Sequence, residues 1–214
     1  MRKPITMNRR NLLKSTAAFA ALSATPSLLL ANEPFQVLDT PVPQDASGKI
    51  EVLEFFHYGC PHCRNFYPLV LEWKKSLPAD VKFSAVPAIW GREQLRALAR
   101  LYYAAERADV LDKVEPAVFV AIQDEKRPLF TEAEVRAWIG STGVDAAVFM
   151  DTYNSFAIQG LVQRADQLAR SYRVQGVPTM AVGGRFLTSA TMTGSHANTL
   201  KVVDQLVDRV RKGA

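Results

Sequence analysis

Two cysteines stand three residues apart in the 214-residue chain, as Cys60-Pro61-His62-Cys63, and there are no others. A cross-link inside that tetrad closes too short a loop to remove much chain entropy, so it cannot staple a fold. A disulfide-built secreted scaffold would carry more cysteines, spread along its length. The pair is therefore there for chemistry, either thiol–disulfide exchange or metal ligation. His57 and His62 keep the metal reading open, because zinc takes sulfur and imidazole together. Against it, His57 precedes a turn whereas His62 lies between the cysteines on a first helical turn. Convergence of all four on one ion is sterically poor, and no metal is expected.

The elements that must hold the tetrad are plain in the pattern. Ile50 to Phe56 is nearly apolar throughout, as a central buried strand should be. Tyr58-Gly59 makes a turn. Pro61 suits the first position of a helix, where its missing N–H would be unpaired anyway. That helix is expected to run to Leu77, before Pro78, with a kink at Pro68. Val81 to Val86 is a second strand. The preceding Asn32–Gly48 carries Pro34, Pro41 and Pro43 and reads as an extended arm, with a short strand near Gln36–Leu38.

Helical periodicity follows. Leu95, Leu98, Leu101 and Tyr102 share one face; Leu111, Val114, Val118 and Ile122 share another. Thr131 and Glu134 form a capping box for a third helix containing Val135, Trp138 and Ile139, ended by Gly143. Phe149, Tyr153 and Phe156 mark a fourth, and Leu161, Ala165, Leu168 and Tyr172 a fifth. Strand character returns at Thr179–Val182. Gly183-Gly184 is expected to make a two-residue hairpin turn into Arg185–Leu187. Leu200, Val203, Leu206, Val207 and Val210 face inward on a last helix.

The charge balance excludes a nucleic-acid surface. The chain has 26 basic and 21 acidic side chains. Arg2, Lys3, Arg9, Arg10 and Lys14 lie within residues 1–31, which hold no acid; without those five, 21 basic groups face 21 acidic ones. The excess belongs to an address rather than to a binding face. Residues 1–14 form a basic leader and Ser15 to Ala31 an apolar run too short for a stable span, which reads as an export signal. Arg9-Arg10-Asn11-Leu12-Leu13-Lys14 resembles a twin-arginine signal; a general secretory signal holding two arginines is the alternative. Ala31 is the best cleavage candidate although Leu29 is large for its position. An uncleaved anchor and a start at Met7 are the remaining alternatives. Outside the cytosol a dithiol pair can stay oxidised.

Val52-Leu53-Glu54-Phe55-Phe56, then Cys60-Pro61-His62-Cys63, then Gly176-Val177-Pro178 ahead of a glycine-turned hairpin, resembles the DsbA family of thiol–disulfide oxidases. The likeness in element order runs over residues 35–212. It implies an α/β, thioredoxin-like fold with an all-helical domain inserted between the third strand and a cis-proline hairpin. The expected division is an export signal at 1–31, a first thioredoxin-like part at 32–89, the helical insertion at 90–172 and a second part at 173–214.

Within that frame Cys60 is the expected nucleophile, since helix N–H dipoles and a protonated His62 favour its thiolate. Pro61 sets the helix start. Cys63, one turn in, should be less exposed and resolve the mixed disulfide. By resemblance Glu54 exchanges the proton of Cys63; the alternative is that it faces a wet edge of the sheet. The family pairs this acid with a lysine on the following strand, where this chain has Ala85, and Lys82 falls elsewhere. By resemblance Pro178 is cis and packs on the cysteines, while the backbone of Val177 binds an extended substrate. His196 reads as a surface residue. Tyr58, Phe66, Tyr67 and Trp90 read either as a client groove or as core.

The implied activity is a periplasmic oxidase that donates the Cys60–Cys63 disulfide, with no other cofactor, to folding exported proteins. A quinone-linked membrane oxidase would re-oxidise it; no nucleic-acid partner is expected, and the chain is expected to be monomeric. A disulfide isomerase or reductase is the nearest alternative, although Asn32–Lys49 is too short for a dimerisation domain. A copper or zinc carrier and a redox-dead interaction protein are further ones. Methionine-rich runs that would favour a carrier are missing, and the intact cysteine pair argues against a redox-dead role.

Overall fold

A computed structural model describes residues 33–44 and 48–213. The export-signal reading of 1–31 lies outside these residues. Among the described residues there are five strands and eight helices. In chain order they are β1 (Gln36–Val37), β2 (Ile50–Phe56), α1 (Pro61–Lys74), β3 (Val81–Pro87), α2 (Glu93–Arg107), α3 (Leu111–Gln123), α4 (Glu132–Ser141), α5 (Ala146–Tyr153), α6 (Phe156–Ser171), β4 (Thr179–Val182), β5 (Phe186–Thr188), α7 (Ala190–Thr193) and α8 (His196–Arg211).

The strands form one sheet in the order β1-β5-β4-β2-β3. β2 runs parallel to β3, with α1 as the crossover, and antiparallel to β4. β5 and then β1 extend the sheet by antiparallel pairing. This is a thioredoxin-like fold with helices α2–α6 set between β3 and β4.

Strand β2 is central because it can afford no wet face. Val52 and Phe55 are fully buried on its two sides. One core packs Val52, Met180 and Val182 against Phe66 and Val70 of α1 and Val203 and Leu206 of α8. The other runs without a break from Leu53 and Phe55 into Leu101, Val114, Ile139 and Ile158 of the helical segment. The insertion is thus seated on the sheet through a shared apolar interior.

Most local signals behave as their chemistry requires. The Thr131–Glu134 capping box is formed in both directions, joining side chains to backbone N–H groups that would otherwise lack partners. Three details differ. Helix α1 ends at Lys74, and Lys75 to Leu77 leave it through short turn bonds. Phe156 does not close the fourth helix: Ser155 caps a new one, and Phe156 is its first residue, 86% exposed.

The hairpin is the third difference. Val182 pairs with Phe186, so the loop is Gly183-Gly184-Arg185, three residues rather than two. Both glycines take positive φ, +59° and +70°. Gly184 also admits the N-terminal arm, because Val42 N–H donates to its carbonyl at 2.7 Å. A Cβ on Gly184 would stand 2.2 Å from the Val42 carbonyl oxygen.

Gly184→Ala should therefore destabilise the protein by roughly 2 kcal/mol or more, through strain and loss of the arm contact. Gly160→Ala, on an exposed and open face of α6, should instead stabilise by about 0.5–1 kcal/mol. Thermal or urea unfolding of the two variants beside the parent decides this. Equal, small effects would show that the arm does not depend on Gly184.

Candidate active site

The last turn of β2 delivers the tetrad. His57-Tyr58-Gly59 reverses the chain, closed by Cys60 N–H donating to the His57 carbonyl at 3.0 Å. Cys60 is then the N-cap of α1, in extended conformation, with Pro61 beginning the helix. A cysteine in the capping position puts its sulfur where N–H groups have no partner. The Cys63 N–H donates to the Cys60 Sγ at 3.4 Å.

The two thiols are unequal. Burial, the Cys60 sulfur beside it and Glu54 push the pKa of Cys63 far up; the residue is only 1% exposed. The Cys60 pKa is held down at about 6, against an ordinary 9.0. The largest cause is the hydrogen bond from the Cys63 thiol. Burial opposes it; the Cys63 and His62 backbone N–H groups help, and the His62 charge adds least. Helix dipole and His62 were the causes expected from sequence. The dominant one is the partner thiol itself, which spacing alone does not reveal.

The structure brings the proline loop to the same place. The Val177–Pro178 peptide is cis. The Cys60 thiol lies 3.4 Å from the Val177 carbonyl oxygen, 117 residues away in sequence. Beyond the loop, His62, Val177, Pro178, Thr191, Met192 and His196 line an open groove of about 770 Å³. His196 stacks on Phe66 with ring centroids 5.1 Å apart and faces His62 at 6.2 Å. Burial and the His62 charge lower its pKa. It is a half-buried residue of the groove beside the tetrad.

Other candidates sort by burial. Tyr58 and Phe66 are core residues and cannot line a client groove. Tyr67 and Trp90 are half-buried. His57 packs edge-on to Trp90, and burial and Arg92 lower its pKa. Among the described residues no three histidine, cysteine, aspartate or glutamate side chains are grouped to hold a metal ion.

Glu54 is 6% exposed on the central strand, so the wet-edge alternative is overturned. Its pKa rises to about 8, through burial and then the neighbouring charge of Glu115. Its register partner on β3 is Ala85, while Lys82 sits opposite Glu51. The opposing positive charge comes from Lys74 of α1.

Sequence reasoning missed the part played by α3. Gln123 at its end donates to the carbonyls of Tyr58 and Cys60, at 2.7 and 3.0 Å. Next to it, Arg64 grips Asp124 through two bonds of 2.7 and 2.8 Å. The insertion thereby pins both the turn before the tetrad and the helix after it. A glutamine at a helix end carries no sequence signature of such a contact.

A dithiol at a strand-to-helix turn, facing a cis-proline loop on a thioredoxin-like sheet, defines a thiol–disulfide oxidoreductase. Comparison with known proteins gives the particular family. The DSBA-like thioredoxin domain model matches residues 69–201, beginning just beyond the cysteines. The "Thiol:disulfide interchange protein DsbA" of Bordetella parapertussis is 42% identical over 91% of this chain and 95% of its own. That of Pseudomonas aeruginosa PAO1 is 38% identical, over 92% and 93%. The crystal structure of Pseudomonas aeruginosa DsbA is 40% identical with a TM-score of 0.81, covering 84% of this chain and 93% of that one. The oxidoreductase NmDsbA1 of Neisseria meningitidis is 30% identical with a TM-score of 0.76, over 84% and 93%. The chain belongs to the DsbA-like thioredoxin family and is a disulfide oxidoreductase.

The ordering of causes at Cys60 is testable. Removing the thiol donor in Cys63→Ala should raise the Cys60 pKa by about one pH unit or more, read from ultraviolet thiolate absorbance. Replacing His62 with a neutral residue should raise it less. The reverse order would place His62, not Cys63, in control of the thiolate.

Proposed function

We propose that this protein is an exported thiol–disulfide oxidase that donates the Cys60–Cys63 disulfide to folding proteins outside the cytosol. The observation that carries the reading is the inequality of the two thiols. Cys60 is stabilised as a thiolate, and Cys63 is buried and held protonated.

The exchange runs in two displacements. A client thiolate attacks Cys60 Sγ, the Cys60–Cys63 bond breaks, and Cys63 leaves and takes a proton. The client is now joined to Cys60. Its second thiolate attacks the client sulfur of that bond, forming the client disulfide and releasing Cys60 as a thiolate. Two electrons pass from client to protein. A low-pKa sulfur is a good leaving group, so the second displacement is fast and the reduced protein is the favoured product. Extended clients are held by strand-like hydrogen bonds along Val177, before Pro178, in the groove that His62 also lines.

The compartment follows from the basic, acid-free leader at 1–31, which suits delivery to a periplasm where disulfides persist. The cycle closes when a quinone-linked membrane oxidase takes the electrons back from the dithiol. Clients are exported chains with cysteine pairs, bound by a monomer that has no nucleic-acid partner.

The test is the reduction potential of the pair against a glutathione buffer over a range of pH. It should lie well above the roughly −270 mV of a reducing thioredoxin. Its pH dependence carries a sign. Because the Cys60 pKa is depressed, its stabilisation of the reduced form is complete above pH 9.0 and is lost as pH falls through about 6. Below about 6, reduction takes up two protons and the potential should fall by about 60 mV per pH unit. Between 6 and 9 it takes up one, and the slope should halve to about 30 mV. A thioredoxin-like potential, with no break near 6, would move the reading to reductase or isomerase.

A further inference from the structure

Cys63 has no direct route for its proton. It is buried under the tetrad, yet it must gain a proton when the disulfide is reduced and lose one when the disulfide re-forms. A cavity of about 100 Å³ lies beneath it, lined among others by Glu54, Cys63, Tyr67, Lys74, Glu106 and Glu115. The space has both polar and apolar walls and is large enough for a few waters.

Glu115 is the group there that the exchange chemistry leaves unused. It is 7% exposed on α3, within the helical insertion. A buried carboxyl is costly unless it has a partner or a task. Its hydrogen bond is long: the Tyr58 hydroxyl stands 3.5 Å from its oxygen. Tyr67 faces it as well, but its buried hydroxyl has no partner at hydrogen-bond distance. So the carboxyl is not locked into a structural ion pair.

We infer that Glu115 is the outer station of a proton path for Cys63, exchanging through this cavity the proton that Glu54 exchanges with the buried thiol. This rests on the thiol-exchange reading above. Glu115 acts through Glu54 and is a positioning residue. During re-oxidation the Cys63 proton passes to Glu54 and on to Glu115. The Cys63 thiolate attacks Cys60 Sγ of a mixed disulfide, forming Cys60–Cys63 and expelling the other sulfur as a thiolate.

The surroundings suit a shared proton. Burial pushes Glu115 up to about 7, with Asp112 of its own helix adding to the rise; Lys74 and the Tyr58 hydroxyl hold it down. Glu54 from β2 is held at about 8. Tyr102 and Glu106 face the same cavity from α2. Two acids so close in proton affinity pass a proton between them without trapping it near neutral pH.

The experiment uses the mature chain, reduced and mixed with glutathione disulfide, with quenched samples resolving two steps. The first is glutathione capture on Cys60 and the second is its displacement by Cys63. In Glu115→Gln the first step should be unchanged. The second should lose about three- to tenfold in plateau rate. Its pH inflection should move lower, because removing the Glu115 charge lowers the Glu54 pKa. Glu115→Asp should recover part of the rate. An inflection shift without a plateau loss would mean that Glu115 only tunes Glu54, and overturns the path. So would equal slowing of both steps, which marks a structural fault, or no change at all. Should the Gln variant not fold, Glu115→Asp and Tyr58→Phe carry the same comparison. If the parent itself forms no Cys60–Cys63 bond, the exchange reading fails and not the relay.

Discussion

The hydrogen bonds received by one sulfur, at the N-cap of α1, are what the rest of this molecule is arranged to secure. An ordinary thiol has a pKa of 9.0, and that of Cys60 is held down at about 6. The difference comes from donors that a folded helix start cannot otherwise satisfy, and from the thiol one turn along it. Each needs the chain to turn sharply after β2 and enter the helix at once. The central, fully buried strand fixes the entry. Pro61 fixes the first helical turn, and Gln123 ties down the carbonyls on either side of Gly59. A loosened turn would lengthen bonds of 3.4 Å beyond usefulness, and the thiolate would revert to an ordinary thiol.

The proposed exchange gives a use to the acid in the middle of the sheet. Stabilising one sulfur as an anion makes a second anion beside it costly, so Cys63 must keep its proton until the moment it attacks. A buried carboxyl with an elevated pKa can accept that proton near neutral pH; an exposed one, fully ionised, would be too weak a base. Glu54 is kept in that state by burial and by Glu115, against the pull of Lys74. Strand β3 offers only Ala85 opposite, and the cation enters from the helix instead.

What the sequence makes legible follows its local chemistry. The cysteine tetrad, the apolar strand before it, the capping box at Thr131 and the Gly176-Val177-Pro178 loop each declare themselves within a few residues. Contacts made across the fold do not. Glu115 and Gln123 lie on an amphipathic helix where a glutamate and a glutamine look like ordinary solvent-facing positions. Only the docking of α3 on the tetrad turn makes them buried or bonded. His196 opens the last helix, 134 positions from His62, and nothing in its neighbours announces their approach. Phe156 errs the other way, since its size suggests a core position while the Ser155 cap turns it outward. The hairpin length is a matter of register, Val182 against Phe186, and the contact of Gly184 with the arm joins residues more than a hundred positions apart.

The helical insertion thus does more than cover a sheet face. The sheet and α1 suffice to place two cysteines and a proline loop together. They do not enclose the acid beneath Cys63, which lies under a low-dielectric roof with a second acid beside it. Helix α3 supplies both: Phe119 and Leu111 beside the cavity, Glu115 within it, and Gln123 at its end against the turn. Its apolar face is continuous with the sheet core. The low pKa of Cys60 is thus set within the tetrad, by Cys63 and His62, while the insertion completes the surroundings of the buried acid beneath it.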